Sequence, residues 1–125
     1  MTNPSDRKYS DTHEWALIEG DVATIGITSH AAESLSDLVF LDLPEVGDEV
    51  SAGEGFGEIE SVKAVSDLKS PVSGEVIDVH SELEDNLKDI NTDPYGKGWM
   101  IKVKVSSVGD GLMDAAAYEQ HAAEA

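Results

Sequence analysis

Apolar and polar residues alternate along several short stretches of the chain, which is the pattern of half-buried β-strands. Residues 13–19 (HEWALIE) and 22–28 (VATIGIT) form two such stretches, and Gly20 and Asp21 join them. A two-residue joint that contains glycine is typical of a β-hairpin. The N-terminal part of the chain therefore predicts an antiparallel pair of strands.

Similar patterns predict five further strands, at residues 39–43, 56–62, 65–70, 75–80 and 99–105. Phe56, Ile59 and Val62 are expected to face the core. Lys63 and Ala64 separate the second of these strands from the third. The spacing therefore predicts a second hairpin with its tip at Lys63.

Short helices are predicted around these strands. The Ser29 hydroxyl is suited to cap a helix that runs to about Ser36. A weak helical turn is expected over residues 82–87, and an Ala-rich stretch from Met113 to Glu124 predicts a C-terminal helix. Many short strands with Gly/Pro turns indicate a small β-sandwich or barrel-like sheet in a single domain.

The net charge of the chain limits which kinds of partner it can bind. The chain has 8 Lys and Arg against 26 Asp and Glu, which gives a net charge of −18. Phosphate backbones and anionic membranes are bound by clustered cations, and this chain has a single arginine and no basic run. Nucleic acid and membrane surfaces are therefore not expected as partners. The acidic composition suits either a salt-adapted cytoplasm or docking to basic rims on other proteins.

Several kinds of site are excluded or incomplete. The chain has no cysteine, which excludes disulfides, thiolate metal sites and a cysteine nucleophile. The glycines of residues 53–57 lack the third glycine of a dinucleotide loop, because Glu58 stands there. Residues 89–93 begin like a calcium loop, but Pro94 and Met100 occupy the positions that need Gly and Glu. We therefore expect no metal site and no catalysis by this chain alone.

The N-terminal residues predict a location. The first dozen residues include Asp6 and Asp11 and no apolar stretch. A secretory signal needs an apolar segment, and a transit peptide is poor in acids. A cytoplasmic protein is expected.

Lys63 is the strongest candidate for a functional residue. It lies at a predicted hairpin tip, in the stretch ESVKAVSD, within a chain that has few cations. One interpretation is an exposed turn lysine in an unmodified structural domain. The other is a modification site, because a tip lysine is accessible to a second enzyme and its amine can form an amide with a carboxylic cofactor.

The motifs around Lys63 and along the rest of the chain resemble the H proteins of the glycine cleavage system. The resemblance extends from about Tyr9 to Tyr118. Biotin carrier domains usually have Met on both sides of the modified lysine, where this chain has Val62 and Ala64. Lipoyl domains of 2-oxo acid dehydrogenases are similar only around the central hairpin. The motifs that carry the resemblance are THEW, GIT with the following His-Ala, VFLDLPEVG, ESVKAVSD, SPVSGEVIDV and PYGKGWM.

The resemblance implies a fold and a domain organisation. The family fold is mainly β, a flattened β-sandwich of the barrel-sandwich hybrid type with a few short helices. Residues 1–125 would form one lipoyl-carrier domain. Residues 1–8 are expected to be flexible, and residues 112–125 to form the C-terminal helix.

The resemblance also implies a shuttle that is not itself an enzyme. Lys63 would carry lipoate as N6-lipoyl-lysine, attached by a lipoate-attaching enzyme. The arm would take an aminomethyl group from the pyridoxal-phosphate enzyme glycine decarboxylase to the folate-dependent aminomethyltransferase. Dihydrolipoyl dehydrogenase, a flavin enzyme, would then reoxidise the dithiol. The alternative is an H-like lipoyl donor or modification carrier that acts outside glycine cleavage.

Further site residues follow from the matched motif positions. Glu14 and Asp67 are expected to contact the loaded arm, and the alternative interpretation of each is a solvated acid. Ser34, where the family often has a histidine, and Leu35 are candidates for the same cleft. Glu58 and Glu60 are expected to help the lipoate-attaching enzyme recognise the hairpin.

Overall fold

The structure of the protein is a computed structural model that describes residues 3–124. Within this range the chain forms two antiparallel β-sheets, three short α-helices and one 3₁₀ helix. The strands are β1 (Lys8–Tyr9), β2 (Glu14–Glu19), β3 (Val22–Ile27), β4 (Leu38–Asp42), β5 (Glu49–Val50), β6 (Gly55–Ser61), β7 (Val65–Lys69), β8 (Val72–Val79) and β9 (Ile101–Val108). The helices are α1 (Ser29–Leu35), the 3₁₀ helix (Ser81–Asp85), α2 (Lys88–Thr92) and α3 (Ala115–Glu124). The predicted mainly β sandwich with a C-terminal helix is confirmed.

Both predicted hairpins are present, one in each sheet. The larger sheet has the strand order β1-β2-β3-β9-β8-β5, and the smaller has the order β4-β6-β7. In the first hairpin Glu19 pairs with Val22 across Gly20 and Asp21. In the second hairpin Glu60 of β6 pairs with Val65 of β7, so the chain reverses around Lys63.

The main core consists of aliphatic side chains and Phe56 from both sheets and from the short helices. Phe56 and Ile59 contribute to it as expected, and the irregular register between Gly55 and Gly57 is what allows two residues three positions apart to face the same side. Val62 does not, and its expected place in the core is wrong, because 68% of the residue is exposed. Ile59 and Ser61 are the buried alternate positions at this end of β6, so Val62, one residue further on, falls on the outward side.

A second cluster of buried aromatic residues joins the C-terminal helix to the larger sheet. Tyr9, Trp15 and Tyr118 form this aromatic cluster, and the rings of Tyr9 and Tyr118 stack with centroids 4.9 Å apart. The Tyr118 hydroxyl lies 2.7 Å from Thr28 Oγ1 and 2.6 Å from His13 Nδ1. Helix α3 is therefore fixed against the segment that precedes Glu14.

Two predicted helix boundaries are wrong, each by one to three residues. Helix α1 is capped by Thr28, whose hydroxyl accepts the Ala31 N–H, and not by Ser29. The C-terminal helix begins at Ala115, after the predicted starts at residues 112 and 113. Met113 exchanges two backbone hydrogen bonds of 2.8 Å with Tyr9, which keep it extended. The predicted end at residue 125 lies outside the described residues.

The predicted helical turn at residues 82–87 is a 3₁₀ helix at Ser81–Asp85, and the sequence did not predict α2 at Lys88–Thr92. The buried side chains of Leu83 and Ile90 hold these two short segments against the core. Isolated helices of this length are unstable in water. Packing, which the local pattern does not encode, therefore decides that they form.

The first residues of the chain contact the aromatic cluster. Met1 and Thr2 lie outside the described residues. The Arg7 guanidinium lies 4.7 Å from the ring centroid of Trp15, and its Nη1 donates to the Tyr95 carbonyl over 3.1 Å. The expected flexibility of residues 1–8 stays a prediction, although the structure gives Arg7 and Asn3 specific partners.

The glycines of β6 provide a test of the packing between strands. A Cβ at Gly57 would overlap the carbonyl oxygen of Asp42 on β4, whereas a Cβ at Gly55 would lie 3.8 Å from the Leu68 carbonyl oxygen, an ordinary contact. We expect Gly57→Ala to destabilise the fold by about 2 kcal/mol, because the strands must move apart. Gly55→Ala is the matched control and should be neutral or stabilising. Thermal unfolding of both variants measures the difference, and equal melting temperatures would contradict it.

Candidate functional site

The tip of the second hairpin presents Lys63 to solvent on a turn that is closed by Ser61. The Ser61 N–H donates to the Ala64 carbonyl over 2.8 Å. The Ser61 hydroxyl oxygen accepts the N–H groups of Lys63 and Ala64 at 3.3 and 3.1 Å. Serine commonly stabilises turns through such local bonds. The backbone of Lys63 is therefore fixed, while its side chain is exposed.

The tip is also attached to the segment that follows helix α1. The Val62 N–H donates to the Asp37 carbonyl over 3.0 Å. Around this junction the exposed apolar side chains are Val39, Phe40, Val62 and Val65. Exposed apolar groups that lie together are typical of contact surfaces. The surroundings of Lys63 are thus suited to contact with another molecule.

Glu14 begins β2 and is buried, with only 2% of the residue exposed. Its Oε1 accepts the hydroxyl of Ser10 at 2.8 Å and also the hydroxyl of Thr12. Its Oε2 accepts the backbone N–H of Lys69, on β7, over 3.1 Å. The carboxylate therefore joins the N-terminal segment to the strand that leads away from Lys63.

Burial raises the pKa of Glu14 above the ordinary value of 4.5. Hydrogen bonds from Thr12, from the Lys69 N–H and from Ser10 oppose this rise, and so does the positive charge of Lys69. Burial thus makes the charged form of this carboxyl group less favourable, and the hydrogen-bond donors around it offset part of that penalty. Buried acids that are maintained against such a penalty are candidates for a functional role.

A cleft of about 560 Å³ lies beside the Glu14 carboxylate. Its wall includes the groups that bond to Glu14, namely Ser10, Thr12 and Lys69. Both hydroxyls donate their protons to Glu14, and the Ser10 oxygen also accepts the Glu14 backbone N–H over 3.0 Å, so the exposed Thr12 hydroxyl is the better placed of the two to accept a donor from the cleft. The other lining residues are Asp11, Ala52, Gly53, Ser70, Pro71, Ser107, Val108, Gly109, Asp110 and Leu112.

Asp67 lies on β7 between Lys63 and the strand end that touches Glu14. At about 3.3 Å per residue, four positions separate it from Lys63 by about 13 Å. In the strand register Asp67 pairs with Glu58, which in turn pairs with Asp42. All three carboxylates are exposed on one face of the smaller sheet. Like charges placed directly opposite each other are unfavourable, so this row favours contact with a cation.

The remaining predicted site residues lie around the same hairpin. Ser34 is exposed on α1, and Leu35 is partly buried against the main core. Glu60 shares the outer face of β6 with Glu58 and is half-buried. The structure thus places Glu14 against β7, the strand that carries Asp67. Ser34 and Leu35 lie instead on α1, and the segment after α1 bonds to the hairpin at its tip.

Sequence reasoning did not identify Ser10, Thr12 and Lys69 as parts of this site. Ser10 and Thr12 lie four and two residues before Glu14, so a pattern of hydroxyl residues ahead of a strand acid was available as a signal. No local signal existed for Lys69, which meets Glu14 across 55 positions of chain.

Two further observations concern other kinds of site. Within residues 3–124, His, Asp and Glu side chains form no group of three or more that could hold a metal ion. None of the helices in this range has the length and apolar character needed to cross a membrane.

A β-sandwich that exposes a lysine at the tip of a hairpin whose turn is held by local hydrogen bonds has the form of a carrier domain. The comparisons with known proteins agree with this form. A family model described as glycine cleavage H-protein matches residues 7–125. The chain belongs to the glycine cleavage H-protein family.

Individual relatives cover most of the chain. The glycine cleavage system H protein of Rubrobacter xylanophilus is 61% identical over 107 residues, which are 86% of this chain and 85% of the relative. That of Corynebacterium jeikeium is 56% identical over 120 residues, with coverage of 93% and 94%. The crystal structure of a glycine cleavage system H protein from Mycobacterium marinum superposes with a TM-score of 0.90 at 48% identity, and covers 94% of this chain and 97% of that one.

Proposed function

We propose that this protein is the lipoyl-bearing shuttle of a glycine cleavage system, with lipoate linked as an amide to the Nζ of Lys63. The exposed lysine on the Ser61-closed turn is the observation that carries the proposal. The names of its relatives favour the glycine cleavage role over a lipoyl donor that acts elsewhere.

Lys63 fits the requirements of an attachment residue. Among residues 3–124 the structure contains one ion pair, between Arg7 and Asp6, so the Lys63 ammonium is not neutralised by a nearby carboxylate. The turn backbone is fixed, which allows an attaching enzyme to recognise a rigid loop while the amine remains accessible. Glu58 and Glu60 on β6 lie within reach of a protein bound at this hairpin, and we assign them to that recognition.

The bound lipoyl group would supply sulfur redox and transfer chemistry that a chain without cysteine does not have. Amide formation removes the charge of Lys63, so the tip becomes a neutral tether. The tether raises the effective concentration of its cargo at each partner. The protein itself carries out no chemical step and acts as a carrier.

The cleft beside Glu14 is the proposed resting place of the arm when it carries an aminomethyl group. The amine of this cargo is positively charged at neutral pH. The Thr12 hydroxyl oxygen accepts an N–H donor of the amine, and the Glu14 carboxylate, to which Thr12 and Ser10 donate, supplies the negative charge behind it. Charge-assisted hydrogen bonds of this kind are stronger than neutral ones.

Asp67 lies on the path from Lys63 to that cleft. Its exposed carboxylate provides a second negative group for the cargo as the arm enters or leaves. Ser34 and Leu35, on the helix beside the tip, are proposed as contacts of the arm closer to Lys63. Withdrawal of the arm into the cleft excludes water from the cargo between partners.

The proposed partners are those of the glycine cleavage reaction. They are glycine decarboxylase, the folate-dependent aminomethyltransferase and dihydrolipoyl dehydrogenase, together with a lipoate-attaching enzyme. The acidic row of Asp42, Glu58 and Asp67 suits a basic rim on such a partner. The cytoplasmic location expected from the sequence belongs to the same proposal.

The decisive experiment is an intact mass measurement of protein isolated from its native cell. We expect an added mass equal to one lipoyl amide, and peptide fragmentation should place it on Lys63. A chain without added mass in cells that grow on glycine would refute the proposal. Added mass on another lysine, such as Lys97, would refute the assignment of the site.

A further inference from the structure

Lys69 is the single cation among the residues that line the cleft beside Glu14. It is the last residue of β7 and lies two positions beyond Asp67, so the two side chains project from the same face of the strand. Its backbone N–H donates to Glu14 Oε2 over 3.1 Å. Its side chain therefore originates at the carboxylate that the cargo is expected to reach.

Lys69 shares the cleft wall with several acids, and within the described residues its ammonium makes no ion pair with any of them. The ion pair found within residues 3–124 is the one between Arg7 and Asp6, so the Lys69 ammonium makes no direct ion pair in this range. Asp11 and Asp110 line the same cleft, and Glu14 lies behind its wall. The Lys69 charge also lowers the pKa of Glu14, which indicates electrostatic coupling between the two groups.

We propose that Lys69 limits how long the loaded arm stays in the cleft, because its ammonium competes with the amine of the cargo for the same carboxylates. This inference rests on the proposed function and concerns the specificity of the same cleft. When the arm carries no amine, the flexible Lys69 side chain screens the negative charge of the cleft. When the arm carries an amine, two cations share that charge and repel each other.

A cation in the cleft would help the carrier to release its cargo as well as to hold it. A cleft that binds the amine too tightly would keep it from the next enzyme. A partly exposed, solvent-screened charge has a modest effect, so removal of the Lys69 charge should lengthen the residence of the cargo by about two- to fivefold. The difference should shrink as salt rises, because ions screen the repulsion.

The first test uses the lipoylated protein and the variant Lys69→Gln, which keeps a long polar side chain without the charge. Both are loaded with glycine by glycine decarboxylase and freed of that enzyme, and intact mass follows the loss of the aminomethyl mass over time. Lys88→Gln, on α2 outside the cleft, makes the same change in net charge and serves as the control. We expect a lifetime two- to fivefold longer for Lys69→Gln alone, with the gain reduced at high salt.

The second test needs no lipoyl group. Carbon-13 NMR of the Glu14 carboxyl in unmodified protein should show a higher pKa in Lys69→Gln than in the parent and in Lys88→Gln. An unchanged pKa, or a lifetime that is unchanged or shorter in Lys69→Gln, would overturn the inference. Absence of lipoate from Lys63 would instead refute the proposed function, and the NMR titration would still report the coupling between Lys69 and Glu14.

Discussion

Replacing Lys63 with arginine should abolish lipoate attachment and all glycine cleavage that depends on this protein. Arginine keeps the positive charge and much of the length, but its guanidinium is not acylated by an enzyme that forms a lysine amide. The turn should be unaffected, because Ser61 bonds to the backbone of residues 63 and 64 and not to the lysine side chain. We therefore expect an unchanged melting temperature and no measurable turnover.

The matched control for this change is Lys97→Arg, an exposed lysine in the loop before β9. It should be lipoylated and active like the parent protein. Intact mass and coupled turnover with the partner enzymes measure both variants. Full lipoylation of Lys63→Arg at a different lysine, together with normal turnover, would show that the hairpin tip is not the attachment site.

Replacing Glu14 with alanine should leave lipoylation intact and shorten the lifetime of the loaded arm by about 10- to 100-fold. Without the carboxylate the wall hydroxyl that holds the amine loses its acceptor and the charge behind it, and we take the loss as equal to one hydrogen bond to a charged group, about 1.5–3 kcal/mol. Attachment should persist because Glu14 contacts the far end of β7 and not the tip. Alanine leaves the Ser10 and Thr12 hydroxyls and the Lys69 N–H without their acceptor, so we expect a lower melting temperature but a folded protein, because removing Glu14 also removes a buried charge.

Three further variants make this experiment specific. Glu14→Gln keeps the shape of the side chain without the charge and should shorten the lifetime nearly as much. Glu19→Ala removes an exposed acid at the other end of β2 and should change nothing. Asp67→Ala should give a smaller loss, since its carboxylate is exposed to solvent. Parent-like lifetimes in both Glu14 variants would show that this carboxylate does not hold the cargo.

Acid should weaken the retention of the arm through the same carboxyl. Burial places the pKa of Glu14 above 4.5, so its charge is lost at a higher pH than that of an ordinary glutamate. The lifetime of the loaded parent protein should therefore fall on acidification before ordinary surface acids titrate. In Glu14→Gln this pH dependence should disappear.

The sequence by itself determined the strands of both hairpins and the position of Lys63 at a tip. These features depend on neighbours along the chain. The alternation of side chains is a property of one strand, and Ser61 closes the turn within three residues. The resemblance in the ordered motifs also gave the family, because its motifs are spread over nearly the whole chain.

Only the tertiary structure decided what surrounds Glu14. The sequence left open whether this residue is a solvated acid or a buried one. The pattern within one strand does not show which other segments of the chain cover it. Its burial requires the Lys69 backbone of the other sheet and the segment of Ser10 and Thr12 to meet at one point. His13 adopts a positive φ of 72° just before Glu14, and Tyr118 of the C-terminal helix bonds to it. Contacts between residues this distant in the chain arise from packing, which no local pattern specifies.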